Sequence, residues 1–185
     1  MMATVLGYRR IARRRPVAAP IFPVQAAGRP RSAALIDWPK AATLIAATLD
    51  LDTEASFAPD GQSVLFTSDR GGSPQIYRLR LATNAVERLT FEGSYNVSPR
   101  ALPDGKGFVF VRRDGGRFQI ALQDFATRQV QVLTSGPVDE SPSLAPNGKL
   151  ILYANDVGGR GILAAVSSDG RVKQRLVSPA ADVRE

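Results

Sequence analysis

The side chains able to do chemistry in this 185-residue chain are carboxylates, hydroxyls and amides, because it has no histidine and no cysteine. That composition excludes Cys/His and Ser/His/Asp catalysis, zinc held by imidazole or thiolate, haem held by histidine and cysteine-bound iron–sulfur clusters. No disulfide can form, so cysteine usage leaves the redox compartment open. Hydrolysis by a carboxylate pair survives, and Asp139 with Glu140 is the obvious pair. Consecutive strand positions face opposite sides, however, so those two carboxylates are not expected to converge on one substrate. Gly71 and Gly72 recur as Gly115, Gly116 and as Gly158, Gly159. A phosphate-cradling loop would need a helix and a Lys-Ser/Thr pair after them, and neither follows, so they are turn glycines. No cofactor or metal is expected and no enzymatic activity.

The net charge of +7 suggests a nucleic-acid partner until it is divided along the chain. Residues 1–50 hold 8 Lys and Arg against Asp37 and Asp50, whereas residues 51–185 hold 16 against 15 acids. The body is nearly neutral and its cations are scattered among acids, which gives no phosphate-tracking stripe. Arg9, Arg10, Arg13, Arg14 and Arg15 are followed by Pro16, Pro20, Pro23 and Pro30 among many alanines. Repeated proline denies that stretch a continuous helix or a central strand. Residues 1–51 are therefore expected to be a disordered, basic, low-complexity segment. A basic arm on nucleic acid or an anionic membrane, and an Arg-rich transit peptide, are weaker readings of it. No secretory signal is recognisable near the start, and the apolar stretch at residues 41–49 falls far short of the roughly 20 residues that span a bilayer, so no membrane insertion is expected.

Beyond Leu51 an internal period appears. Pro59, Asp60, Gly61 recur as Pro103, Asp104, Gly105 and as Pro146, Asn147, Gly148, at offsets of 44 and 43. The same offsets carry Leu89 and Thr90 onto Leu133 and Thr134, then onto Leu176 and Val177. They also carry Gln75 and Ile76 onto Gln119 and Ile120, then onto Gly161 and Ile162. Each triplet is a tight-turn site, since Pro presets its own φ and Gly tolerates positive φ. Apolar runs flank the turns: 63–68, 75–81 and 86–90; 107–112, 118–125 and 130–134; 149–154, 161–166 and 172–177. With one strand ahead of each triplet, this makes four short strands per unit of about 40–45 residues, the pattern of a β-propeller blade. The fold class is all-β, a partial propeller of about three four-stranded blades over residues 52–185. Closed propellers have about four to eight blades, so three cannot close a ring and would leave apolar faces at both ends.

The runs DTEASFAPDGQSVLFTSDRGGSPQIYRL from Asp52, FEGSYNVSPRALPDGK from Phe91, VDESPSLAPNGKLILYANDVGGRG from Val138 and SSDGRVKQRL from Ser167 resemble the propeller of the TolB family. The likeness covers residues 52–185, and the long runs in order are far more specific than the turn triplet. It implies a six-bladed propeller behind a small α/β domain, in the periplasm, without catalysis. It further implies that the propeller binds the lipoprotein Pal, that the amino-terminal region engages TolA, and that the system serves outer-membrane integrity and constriction at division. Against that family pattern the chain is expected to be a carboxy-terminal half cut at both ends, with residues 1–51 lacking a counterpart. A truncated or frame-shifted gene product would give such a leader, and the TolA contact would then be missing.

Three polar runs are expected just ahead of the first strand of each blade: Asp52, Thr53, Glu54; Asn96, Val97, Ser98; and Asp139, Glu140, Ser141. Loops at that place gather round one mouth of a propeller. The family resemblance implies that Thr53 and Glu54 match a Thr-Glu pair at the Pal-binding face, with Glu140 and Ser141 at the equivalent place in the third repeat and Asp139 just ahead of them. Tyr95 and Asn96 would add an aromatic and an amide contact at the same mouth, since Tyr is favoured at interface hot spots. The bland alternative is that these residues cap and orient the inter-blade loops, and that Tyr95 packs within the blades. Competing readings of the whole chain are a detached propeller of a prolyl oligopeptidase-type peptidase, a non-functional remnant, and a homodimer in which two three-bladed chains complete one ring.

Overall fold

Each turn triplet closes the way its chemistry demands. The amides of Gly61, Gly105 and Gly148 donate to the carbonyls of Ala58, Leu102 and Ala145, with the three glycines at φ of +64°, +70° and +67°. The carboxylates of Asp60 and Asp104 and the amide oxygen of Asn147 each accept from the backbone N–H two residues on. The side chain thus completes the turn, which is why Asp and Asn share this position.

Between these turns the computed structural model describes residues 52–176 as β1 (Asp52–Phe57), β2 (Ser63–Ser68), β3 (Gln75–Arg80), β4 (Ala85–Arg88), β5 (Asn96–Ala101), β6 (Gly107–Asp114), β7 (Arg117–Asp124), β8 (Val130–Val132), β9 (Asp139–Leu144), β10 (Leu150–Val157), β11 (Arg160–Ser167) and β12 (Lys173–Arg175). They pair antiparallel in sequence order as three four-stranded sheets, β1 to β4, β5 to β8 and β9 to β12. The all-β, three-blade expectation holds for these residues, and the expectation of a disordered leader lies outside them.

The strand boundaries differ from the sequence reading at both edges of each sheet. The polar runs do not precede the first strands; they begin them, with Asp52, Asn96 and Asp139 as the first residues of β1, β5 and β9. At the outer edge β4, β8 and β12 stop at Arg88, Val132 and Arg175, short of Leu89-Thr90, Leu133-Thr134 and Leu176. The amides of Leu89 and Leu133 still donate to Ile76 and Ile120, but the hydroxyls of Thr90 and Thr134 then accept the N–H of those same isoleucines, both at 2.9 Å. A side chain replaces the backbone as ladder partner, so the strand ends while its last amide stays satisfied.

Alternation within β2, β3, β6, β7, β10 and β11 sends side chains to both faces, and blades pack face to face. Leu65, Ile76 and Leu89 of the first blade meet Phe108, Phe110 and Ala121 of the second. Val109, Val111, Ile120 and Leu133 of the second meet Ile151, Tyr153, Ala164 and Val166 of the third. Among the described residues no helix is long and apolar enough to cross a membrane.

Candidate functional site

The starts of β1, β5 and β9 share a device that the sequence reading did not foresee. Glu54, Ser98 and Ser141 stand at equivalent repeat positions, and all three adopt positive φ, at 58°, 55° and 55°. The pairing with the second strand slips at the same place in each blade: between Thr53 and Ser56, between Val97 and Arg100, and opposite Leu152 and Ala154. These are β-bulges that re-aim the chain at the inner end of the strand. Pro99 and Pro142 sit inside the second and third bulges, where a ladder N–H is not required. A non-glycine residue at such a φ stores about 1–3 kcal/mol of strain, which persists only where surrounding contacts over-determine it.

At Glu54 the over-determining contacts are plain. Its Oε2 accepts from the backbone N–H of Ser98 at 2.7 Å and from the hydroxyl of Thr67 at 3.1 Å, while its Oε1 accepts from the Ser98 hydroxyl at 2.7 Å. One carboxylate on the first blade therefore holds the bulge of the second, although Glu54 itself remains exposed. Hydrogen bonds to an ionised group are about twice as strong as neutral ones, which suits a clamp standing in partial contact with water. Thr53 lies opposite Thr67 in the ladder.

Asn96 is buried at 2% exposure, and its amide donates to Gln75 Oε1 at 2.8 Å and to the Glu92 carbonyl at 2.9 Å. The same Gln75 oxygen accepts from the Thr90 hydroxyl, and Gln75 Nε2 donates to the Gly93 carbonyl. Asp139, the equivalent of Asn96, is buried at 1% and accepts from Asn155 Nδ2 at 2.6 Å and from the Gly136 N–H at 2.9 Å. Both polar side chains tie the incoming inter-blade loop to its blade. Glu140 is exposed where Asp139 is buried, so the two carboxylates face opposite ways as strand geometry required. Tyr95 is half-buried, with its ring edge-on to Phe118 at 5.7 Å.

Of the residues singled out by sequence, the structure brings Glu54 against the start of β5, leaves Glu54 and Glu140 exposed, and packs Tyr95, Asn96 and Asp139 against their neighbours. Sequence reasoning missed Thr67, Gln75 and Asn155, which hold them in place, and named Ser98 only within a polar run, not as the partner of Glu54. The signal for Ser98 was available, since it maps onto Glu54 at the repeat offset of 44. No group of three or more acids able to hold a metal ion occurs among the described residues.

Comparison with known proteins agrees with this architecture. Residues 37–185 match the model of the TolB beta propeller domain family. A Tol-Pal system protein TolB from Nitrosospira multiformis is 62% identical over 103 residues, which cover 56% of this chain and 24% of that protein. Its counterpart from Methylobacillus flagellatus is 68% identical over 75 residues, 40% of this chain and 17% of the relative. The crystal structure of TolB from Acinetobacter baumannii superposes with a TM-score of 0.70 at 45% identity, covering 76% of this chain and 35% of that one. The aligned part thus spans a quarter or less of the curated relatives' length.

Proposed function

The chain belongs to the TolB β-propeller domain family, and from that premise we propose that it is a non-enzymatic, protein-binding propeller of the Tol–Pal system. Its partner is the peptidoglycan-associated lipoprotein Pal, its compartment the periplasm, and its role the support of outer-membrane integrity and constriction during division. The observation that carries this reading is the repeated bulge at the starts of β1, β5 and β9, which holds a polar rim in one fixed conformation. Neighbouring first strands lie against each other, so successive bulges form a continuous edge. A rim set before the partner arrives loses little conformational entropy on binding.

The residues divide by role. Glu54 and Glu140 offer exposed carboxylates and Tyr95 a half-buried aromatic surface, while Thr53 stands beside Glu54 on β1. Asn96 and Asp139 contribute through the backbone they fix rather than by direct contact, because their polar atoms are engaged inside the chain. A binding role also suits the chemistry better than catalysis, since the two adjacent carboxylates diverge.

Size-exclusion chromatography with light scattering on the full chain, with and without purified Pal, tests the proposal. A mass increase with Pal, lost in Glu140→Lys and weakened in Glu54→Gln, is expected. Glu140→Lys changes an exposed charge, whereas Glu54→Gln also disturbs the clamp on Ser98, so the first variant separates contact from scaffolding. Absence of any complex, or a complex indifferent to both changes, would sink it.

A further inference from the structure

At the opposite edge of the sheets from Glu54, the boundary between the first two blades carries a cluster that blade-building does not require. Phe91, just past β4, is 60% exposed. Two guanidinium groups stack on its ring: Arg88 at 5.2 Å from the centroid and Arg128, from the turn before β8, at 5.8 Å. Arg88 is held there by its Nε, which donates to the Thr90 carbonyl at 2.6 Å. Beside the ring a cleft of about 130 Å³ opens between the blades, lined by Phe91, Glu92, Asn96, Arg112, Gln123 and Arg128 among others.

The next repeat supplies the control. At the equivalents of Arg88, Phe91 and Arg112 it has Val132, Ser135 and Asn155, on the same strand and loop positions of the following blade. The fold therefore tolerates a small polar residue where Phe91 stands and an uncharged one where Arg88 stands. An exposed phenylalanine between two arginines is a recognition surface in chemical terms, since guanidinium groups stacked on a ring still present their N–H edges to a planar anion. Charge at the cleft favours an anion. Arg112 and Arg128 line it with Glu92, and Arg88 lies over the same Phe91 ring; the further acids beside these arginines are Glu87 and Asp114. Of those acids, Glu87 is paired with Arg78 at 2.9 Å and Asp114 with Arg112 at 3.5 Å.

We propose that this groove between the first two blades binds an acidic peptide segment of a partner protein, one that carries an apolar or aromatic side chain next to a carboxylate. The carboxylate lies on the guanidinium edges of Arg88 and Arg128. The apolar side chain covers the exposed face of Phe91 and reaches into the cleft toward Gln123. The cleft adjoins the rim proposed for Pal at Asn96, but Arg88, Phe91 and Arg128 are not among the residues of that rim.

The test uses the full chain and a fluorescein-labelled, acetylated and amidated peptide of alternating Glu and Phe, read by fluorescence anisotropy. The expected result is binding that weakens as salt rises and falls at least tenfold in Arg88→Val/Phe91→Ser, with the thermal melt unchanged because the next repeat already folds with those residues. Glu140→Lys should leave it intact. Equal binding by the double variant, equal binding of a peptide with Gln in place of Glu, or no binding at low salt would overturn the proposal. So would a wild-type chain that ignores the peptide but sediments with phosphatidylglycerol vesicles in an Arg88- and Phe91-dependent way, since a lipid surface would then be the ligand.

Discussion

The two inter-blade interfaces occupy the same positions of one repeat, yet they are built from different chemistry. Between the first and second blades the core is aromatic: Phe108 and Phe110 lie with centroids 5.4 Å apart, and Phe125 stacks on Phe108 at the same distance. Polar stitches cross that boundary, from Glu54 to Ser98, from Asn96 to Gln75 and from Gln123 to the Leu89 carbonyl. Between the second and third blades the core is mainly aliphatic, with Val109, Val111, Ile120, Leu133, Ile151 and Val166. There the buried Asp139 binds Asn155 of its own blade, and the side-chain stitch across is an exposed one, Gln131 Nε2 donating to the Asp169 carbonyl at 2.9 Å. The backbone of a blade thus accepts either core, and what varies from boundary to boundary is how firmly polar groups lock one blade to the next.

If the aromatic boundary carries the larger share of packing energy, Phe110→Ala should be the most damaging single truncation. Phe110 is 1% exposed, and a loss of about 3–5 kcal/mol is expected, with Ile120→Ala at the other boundary, whose range is about 2–5 kcal/mol, below it. Urea denaturation followed by fluorescence would give both, and equal losses would break the distinction.

Next in size is a contrast between two glycines in equivalent inter-blade loops. A Cβ at Gly136 would fall on the Asp139 carboxylate and within 2.7 Å of Asn155 Nδ2, so Gly136→Ala should cost about 1–3 kcal/mol by overpacking. Gly93 has open space, with nothing nearer than 3.9 Å, but sits at φ +76°. Gly93→Ala is expected to cost about 1–2 kcal/mol, from backbone strain alone. Replacing each glycine by Asn separates the causes, because Asn tolerates positive φ but adds bulk. Gly93→Asn should recover part of the loss and Gly136→Asn none.

Removing the Glu54 carboxylate with Glu54→Ala should cost about 1–2 kcal/mol, the low side of the range for hydrogen bonds to a charge because the residue is exposed. The same truncation at Ser141, the equivalent in the third blade, should cost less, since no carboxylate clamp rests there. Thermal melts of the two variants would show whether only the first boundary depends on a charge.

The turns, the second and third strands and the alternation of blade faces were legible in the sequence, because Pro-Asp-Gly and runs such as 107–112 obey local rules. The first strands were expected ahead of each triplet, but their starts were placed too late. DTEASF, NVSPRA and DESPSL are polar and two of them contain proline, so they look like loops until the bulge and the neighbouring blade are supplied. The outer strands were drawn too long because Leu-Thr continues an apolar run, while the Thr hydroxyl has taken over the ladder bond. At the rim, Glu54 could be picked out by resemblance, but its partners Thr67 and Ser98 lie 13 and 44 residues away and only folding brings them together.

The finest difference between the boundaries is a single hydroxyl. Tyr153 in the third blade stands where the second blade has Phe110, and burial pushes its phenol above the ordinary value, with the Asp139 carboxylate adding to the rise and Arg175 opposing it. A group whose pKa is higher in the folded state favours folding while it stays protonated. Its contribution is complete below the unfolded value of about 10 and is lost as pH climbs through the folded value. The second boundary should therefore loosen at alkaline pH in a way that the first cannot. Tyr153→Phe gives the third blade the second blade's residue and should remove that part of the pH dependence while leaving stability near neutrality within about 1 kcal/mol, as a near-isosteric swap allows. Melts of wild type and Tyr153→Phe from neutrality to above pH 10 would check it. Parallel curves would mean that the phenol senses water rather than the buried boundary.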